Sequence, residues 1–169
     1  MKIRLGTLGD IPKIVEIERK TWGKYAVLEP TILSLLKAFP TGLSVIEERE
    51  MMGYCGCEKQ PGAVFLLPYN HNVEETHDPN GSLLYVDIFT IDDRFRSKGI
   101  GSKLSERLDN IAIREKCKAI YFPLNKTHPY MQQGVKKFWE KNGYEVLRED
   151  KWEIITGEIK ECFVMVKRL

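Results

Sequence analysis

The run Leu83-Leu-Tyr-Val-Asp-Ile-Phe-Thr-Ile91 constrains this chain most. Its near-continuous apolarity predicts a central strand buried on both faces. A short basic turn, Asp92 to Lys98, leads into Gly99-Ile100-Gly101, and Ile100, Leu104, Leu108, Ile111 and Glu115 then recur at helical spacing. Two glycines let the backbone turn tightly and come close to a ligand. The unpaired amides of the helix start carry the positive end of its dipole. Together they make a cradle for a phosphate or pyrophosphate. Residues 94–118 hold eight Lys or Arg (94, 96, 98, 103, 107, 114, 116, 118) against three acids (106, 109, 115), which suits a polyanionic ligand. A glycine-bearing turn before a solvated basic helix accounts for the same residues, so the Gly-x-Gly alone leaves both readings open. Two phosphate motifs are excluded. No Gly-x-x-x-x-Gly-Lys-Ser/Thr is present, and Leu104 stands where a dinucleotide fingerprint needs its third glycine.

The rest of the chain predicts a mixed α/β domain. Lys2 to Leu5 alternates as a short strand. A helix follows from Asp10, with Ile11, Ile14, Val15 and Trp22 on one face and Gly23 as its end. Pro30 opens a second helix, and Pro40 stops it. Leu43 to Ile46 and Met51 to Cys57 read as a hairpin around the charged turn Glu47 to Glu50, with Ala63 to Leu67 extending or following it. Residues 68–82 lack periodicity and read as a long functional or mobile loop. Ala119 to Phe122 predicts a fifth strand, and Val135, Phe138 and Trp139 a short helix ended by Asn142-Gly143. Glu145 to Leu147, Trp152 to Ile155 and Cys162 to Val166 read as late strands. Strands and helices alternate in the middle and hairpins flank them. With 169 residues, one domain spanning 1–169 is expected.

Composition narrows the partners. The chain is 43% hydrophobic and 30% charged, which fits a globular protein. A net charge of +2 gives no argument for nucleic acid or a membrane surface. No apolar run approaches a bilayer span, and the N-terminus does not read as a signal peptide. Cys55-Gly56-Cys57 is too tight for an ordinary disulfide, with Cys117 and Cys162 apart, so reduced thiols and a cytoplasmic location are expected. Zinc is the alternative for the cysteines, with His71, His77 and His128 as partners. None sits at zinc-like spacing, and no metal is expected.

Arg96-x-x-Gly99-x-Gly101, preceded by Ile91-Asp92-Asp93-Arg94-Phe95, resembles the cofactor motif of the GCN5-related N-acetyltransferase (GNAT) superfamily. The resemblance runs almost end to end. The early helices, the hairpin, the central strand, the glycine helix, Asn125 and Phe138-Trp-Glu-Lys-Asn-Gly-Tyr144 fall in family order. Glu16-Ile17-Glu18 before Trp22, Phe39-Pro40 and His77-Asp-Pro-Asn-Gly81 are similar to arylalkylamine N-acetyltransferase-like members, which suggests a small amine substrate. The family fold implied is a mixed, mostly antiparallel central sheet flanked by helices, with splayed central strands.

The resemblance implies acetyl-CoA as cofactor. Backbone groups around Phe89, Thr90 and Ile91 would then bond the pantetheine arm, with an amide near Phe89 as oxyanion donor. The amides of Arg96, Ser97, Lys98, Gly99, Ile100, Gly101 and Ser102 would hold the pyrophosphate. Asn125 and Trp139 match positions near the cofactor arm. The acceptor must lose a proton, because an alkylamine of pKa ~10.4 is neutral in only about 1 molecule in 2,500 at pH 7. Tyr85 and Asp87 lie two apart on one strand face and match positions that carry this task in the family. Asp87 is the expected base, since an acid in an apolar strand is costly unless paired or used. Pairing with a nearby group is the plainer account, and Tyr85 fits either the core or the proton path.

One departure stands out. Trp139 occupies the position where the family usually has the Tyr that protonates the leaving sulfur, and an indole N–H is no general acid. Asn125 and Trp139 are 14 residues apart, more than usual, and the insertion carries His128, Pro129 and Tyr130. Either Tyr130 supplies the hydroxyl or the thiolate leaves unprotonated. The expected protein, a monomer or homodimer, is thus an acetyl-CoA-dependent N-acetyltransferase acting on a small amine. Acetylation of a protein N-terminus or lysine, and a non-catalytic acyl-CoA-binding module, are the alternatives.

Overall fold

A computed structural model describes all 169 residues. Seven strands form one sheet in the order β1-β2-β3-β4-β5-β7-β6: β1 Lys2–Leu5, β2 Leu43–Glu47, β3 Met51–Gln60, β4 Leu83–Ile91, β5 Ala119–Asn125, β6 Glu145–Ile155 and β7 Glu158–Arg168. Every neighbouring pair is antiparallel except β4 and β5. Helices α1 (Ile11–Trp22) and α2 (Glu29–Ala38) cover one face, while α4 (Ile100–Arg114) and α5 (Val135–Lys141) cover the other. A four-residue α3, Val73–Thr76, sits in the loop before β4. This is the mixed, mostly antiparallel architecture expected, and no helix is long and apolar enough to cross a membrane.

Burial follows the side-chain periods. On α4, Ile100, Leu104, Leu108 and Ile111 face a core that takes Ile46, Cys55, Cys57, Leu84 and Val86 from the sheet. On the opposite side, Ile14, Ile17, Ile32 and Leu35 meet Val45, Tyr54 and Ile88. All four cysteines are free and buried, and Cys55 and Cys57 share the α4 side as apolar packing.

Three expectations are corrected. Residues 63–67 form no strand, because their carbonyls bond side chains instead of a neighbouring ladder. Arg148 donates to Val64 O, the Tyr121 hydroxyl to Phe65 O and Trp152 Nε1 to Leu67 O. Segments 145–147 and 152–155 are one strand, carried through the polar residues between them by pairing with β7 across two irregularities. The loop 68–82 is not structureless. It contains α3, which starts where Asn72 Oδ1 accepts the Glu74 amide.

A buried acid ties the layers together. Glu18 of α1 is 1% exposed. Its carboxylate accepts from the Thr90 hydroxyl at 2.7 Å, the Tyr54 hydroxyl at 2.9 Å and the Val27 amide at 2.8 Å. Trp22 Nε1 donates in turn to Thr90 Oγ1 at 2.9 Å. Burial pushes the Glu18 carboxyl up, and these donors oppose the shift. Glu18→Ala takes the carboxylate from three buried donors, of which only the Tyr54 hydroxyl has another acceptor, Ile14 O at 3.4 Å. It is expected to cost about 3 kcal/mol or more. A lowered urea midpoint at unchanged m-value checks this.

Candidate active site

Strands β4 and β5 pair over only three residues, Leu83–Tyr85 with Ala119–Tyr121. Beyond Tyr85 they part, while β5 stays bonded to β7 as far as Asn125. The splayed central strands that the family resemblance implies are therefore present. At the same point β4 carries a bulge. Gly56 pairs with Ile88 and Cys57 with Val86, so Asp87 has no partner on β3. The bulge reverses the side-chain alternation. Leu84 and Val86 face α4, yet Ile88 faces α1 and α2, and Phe89 and Ile91 face α4 again. A cavity of about 540 Å³ runs through the gap.

One end of the cavity is lined by Arg96, Ser97 and the start of α4. Lys103 is the first amide of this helix to find a main-chain acceptor, Gly99 O at 3.3 Å, so the amides of residues 97–102 are free. Two positive-φ residues shape the cradle, Ser97 at 61° and Gly99 at 75°. Gly101 has a different reason to be glycine. A β-carbon there would lie 3.0 Å from the Phe138 ring, so its absence lets α5 close over α4.

The other end is aromatic and acidic. Tyr69 and Trp152 meet edge to face at 5.3 Å and line it together with Trp22, Tyr85, His71 and Asp87. Both Asp87 carboxylate oxygens are buried without a hydrogen-bond donor. His71 Nε2 lies 2.6 Å from Glu58 Oε1 and 3.3 Å from Asp87 Oδ1. Its Nδ1 lies 2.7 Å from Pro68 O, so acceptors face both ring nitrogens. Burial opposes the imidazolium, but Asp87 and Glu58 outweigh it and hold the His71 pKa up to about 10. Burial pushes the Asp87 carboxyl up to about 7 against the pull of His71. Glu58 is fully buried and takes the Thr76 hydroxyl on its carboxylate.

The remaining predicted residues divide. Phe89 and Ile91 line the cavity, and Phe89 packs against Trp139 with ring centroids 4.7 Å apart. Trp139 lines it too, within an aromatic cluster completed by Phe122, Phe138 and Tyr144. The Tyr130 ring borders the cavity under the Arg96 guanidinium at 3.6 Å, and its hydroxyl donates to Asp93 Oδ1 at 3.0 Å. Thr90, Lys98 and Asn125 lie outside the lining. Thr90 points its hydroxyl the other way, to Glu18. Asn125 spends its Oδ1 on the amide and hydroxyl of Thr127.

Sequence reading missed Glu58 and the role of His71, which reach Asp87 only because β3 and the loop fold against β4. It also missed Trp22 as a wall of the cavity and His128 beside it, at 5.2 Å between ring centroids. His128 Nδ1 accepts the Tyr130 amide, and burial, helped by Arg96, lowers its pKa to about 4, so its imidazole is neutral.

Gly99→Ala forces a β-carbon into the left-handed region without any steric neighbour within 4 Å. The expected cost is about 1–2 kcal/mol from backbone strain alone. Urea denaturation checks it, and a loss well outside that range means the turn has a further constraint.

The sequence model of the acetyltransferase (GNAT) family matches residues 11–144. No curated protein matches the sequence. Among solved structures, GphF, a GNAT-like decarboxylase in complex with isobutyryl-CoA, aligns with a TM-score of 0.83 at 15% identity over 99% of both chains. Naa20 of Chaetomium thermophilum, in complex with a bisubstrate analogue, aligns with a TM-score of 0.75 at 15% identity, over 100% of this chain and 87% of that one. The ribosomal-protein-alanine N-acetyltransferase of Brucella melitensis gives 0.70 at 18% identity over 100% of both. At such identities these likenesses are of fold. The family match takes in the cradle, the parted strands and the helix that closes over them, and on that ground this chain belongs to the acetyltransferase (GNAT) family.

Proposed function

We propose that this protein is an N-acetyltransferase that uses acetyl-CoA to acetylate a primary amine of a small molecule, by direct attack of the amine on the thioester. The observation that carries the reading is one continuous cavity with free amides at one end and the buried, donorless Asp87 carboxylate at the other. The amides of 97–102 suit a pyrophosphate, and the gap beyond Tyr85 leaves β4 main-chain groups open to an extended arm. Bound acetyl-CoA supplies the activated acetyl thioester. Pro68 and His71 of the loop border the acceptor end beside Tyr69 and Trp152, which supports a compact amine over a peptide chain.

Asp87 draws in the cationic amine and takes its proton, directly or through water. The Glu58–His71 pair is neutral overall, so Asp87 provides the free negative charge. Main-chain amides of β4 near Phe89 stabilise the developing oxyanion. Tyr130 has its hydroxyl committed to Asp93, and the Trp139 indole cannot serve as an acid. Neither residue would then protonate the thioester sulfur of bound acetyl-CoA, and an ordinary thiol pKa of about 8.5 would allow it to depart unprotonated.

Free-thiol release from acetyl-CoA, followed across a panel of small amines and peptides, tests the reading. Turnover with peptides alone would overturn the small-molecule assignment. Asp87→Asn is expected to keep acetyl-CoA affinity and lose about 100- to 10,000-fold in kcat. Wild-type turnover in that variant would assign Asp87 to structure. Tyr130→Phe is expected to stay within about threefold of wild type, whereas removal of a working acid would cost ~100-fold or more. Gly101→Val should weaken acetyl-CoA binding, read by calorimetry, because its side chain displaces Phe138 beside the cradle.

A further inference from the structure

We propose that Glu58, His71 and Asp87 form a binding site for one divalent transition-metal cation of the zinc type, and that its occupation closes the acceptor end of the cavity. The three side chains come from β3, the loop before α3 and β4. They bring one ligand atom each to within 4.8 Å of one another. Two carboxylates and an imidazole are a hard-to-borderline donor set that suits Zn²⁺ or a neighbouring first-row ion better than Mg²⁺ or Ca²⁺.

Three observations point to a ligand. Both Asp87 oxygens are buried and donorless, with the side chain only 3% exposed, so a polar group waits there for a partner. The His71–Asp87 separation of 3.3 Å already matches the edge of a tetrahedron around zinc, about 3.3 Å for bonds near 2.0 Å. His71–Glu58, at 2.6 Å, has to open by about 0.7 Å. The outer partners are in place: Pro68 O lies 2.7 Å from Nδ1 and leaves Nε2 as the ligand atom, while the Thr76 hydroxyl bonds both Glu58 oxygens at 3.0 and 2.9 Å.

Charge completes the argument. Two buried carboxylates, Glu58 and Asp87, stand around one imidazole. A divalent ion beside a neutral imidazole balances the pair. His71 and Asp87 line the cavity while Glu58 lies behind them, so the open coordination positions face the acceptor space. The ion takes the Asp87 oxygens that would otherwise meet the amine. The binding claim stands on the cluster alone, and only its effect on turnover rests on the acetyltransferase reading.

The test uses chelator-treated full-length protein titrated with zinc chloride in a calorimeter, without acetyl-CoA, with magnesium chloride as the comparison. One zinc per chain is expected, with no comparable magnesium binding. His71→Gln should weaken zinc binding ~100-fold or more, and Thr76→Val, which only orients Glu58, roughly 10- to 100-fold. Acetyl-CoA affinity reports whether each variant is folded. X-ray absorption on the zinc-loaded wild type, which needs no variant, should show one imidazole and oxygen ligands. Absent saturable zinc binding, a sulfur ligand from one of the cysteines, or wild-type affinity in folded His71→Gln would overturn the site. Loss of amine acetylation on zinc addition, relieved by chelator, supports closure. Unchanged turnover at saturating zinc overturns closure and leaves the binding isotherm to stand separately. Absence of any acetylation would fault the functional reading without touching the isotherm.

Discussion

The parting of β4 from β5 after three residue pairs is the constraint on which the rest of this molecule depends. A parallel pair within a sheet normally continues, because each unpaired backbone group in a buried gap costs free energy. Here the gap persists because each strand is held elsewhere. β5 is bonded to β7 along its full length, and β4 to β3 on both sides of the bulge. Neither can swing to close the opening without breaking its outer ladder. Aromatic rings from Phe89, Phe122 and Trp139 wall the space on the α4 side. The gap is thus built into the sheet, and any ligand that uses it meets main-chain groups already aimed.

The bulge at Asp87 and the network on Glu18 divide the work of aiming side chains. Without the extra residue, strict alternation would put Ile88 with α4 and turn Phe89 toward α1. With it, Asp87 has no cross-strand partner and Phe89 faces α4. Glu18 then fixes the opposite wall, since its bond to Thr90 orients the hydroxyl that receives Trp22. A buried carboxylate is a poor source of net stability, but one with three donors holds its neighbours in a single arrangement. Trp22 is held in this way next to His128 and Tyr130.

Much of this was legible in the chain because it is local. The strand from Leu83 to Ile91, the glycine turn and the apolar stripe of α4 are each read from consecutive residues, and each has the predicted bounds within a residue or two. What failed was long-range. Ala63 to Leu67 has a strand's composition, but its carbonyls are claimed by Tyr121, Arg148 and Trp152, all distant in sequence. The polar stretch 148–151 looked like a break, although pairing with β7 on an exposed edge carries it as strand. Asp87 stood out as an acid in an apolar run, whereas nothing in the sequence joins it to Glu58 or His71. Histidine spacing could not find that cluster, because its three members come from three segments.

The two ends of the cavity carry opposite polarity, and this has a consequence for order within it. Free amides, Arg96 and the positive end of the α4 dipole make one end attractive to anions. Asp87 makes the other attractive to cations, and the aromatic walls between them place little polar surface there to screen either field. A polyanionic cofactor and a cationic amine would then each have a single favourable orientation, with their reactive ends meeting among Phe89, Phe122 and Trp139. Charge separation on that scale sorts substrates before any specific contact forms. It also explains why the buried acid is tolerated. Glu58 is neutralised by His71 inside the fold, so only the Asp87 charge is left for a ligand to answer. The His128 imidazole next to Trp22 adds no charge to either end, because burial, helped by Arg96, keeps it neutral.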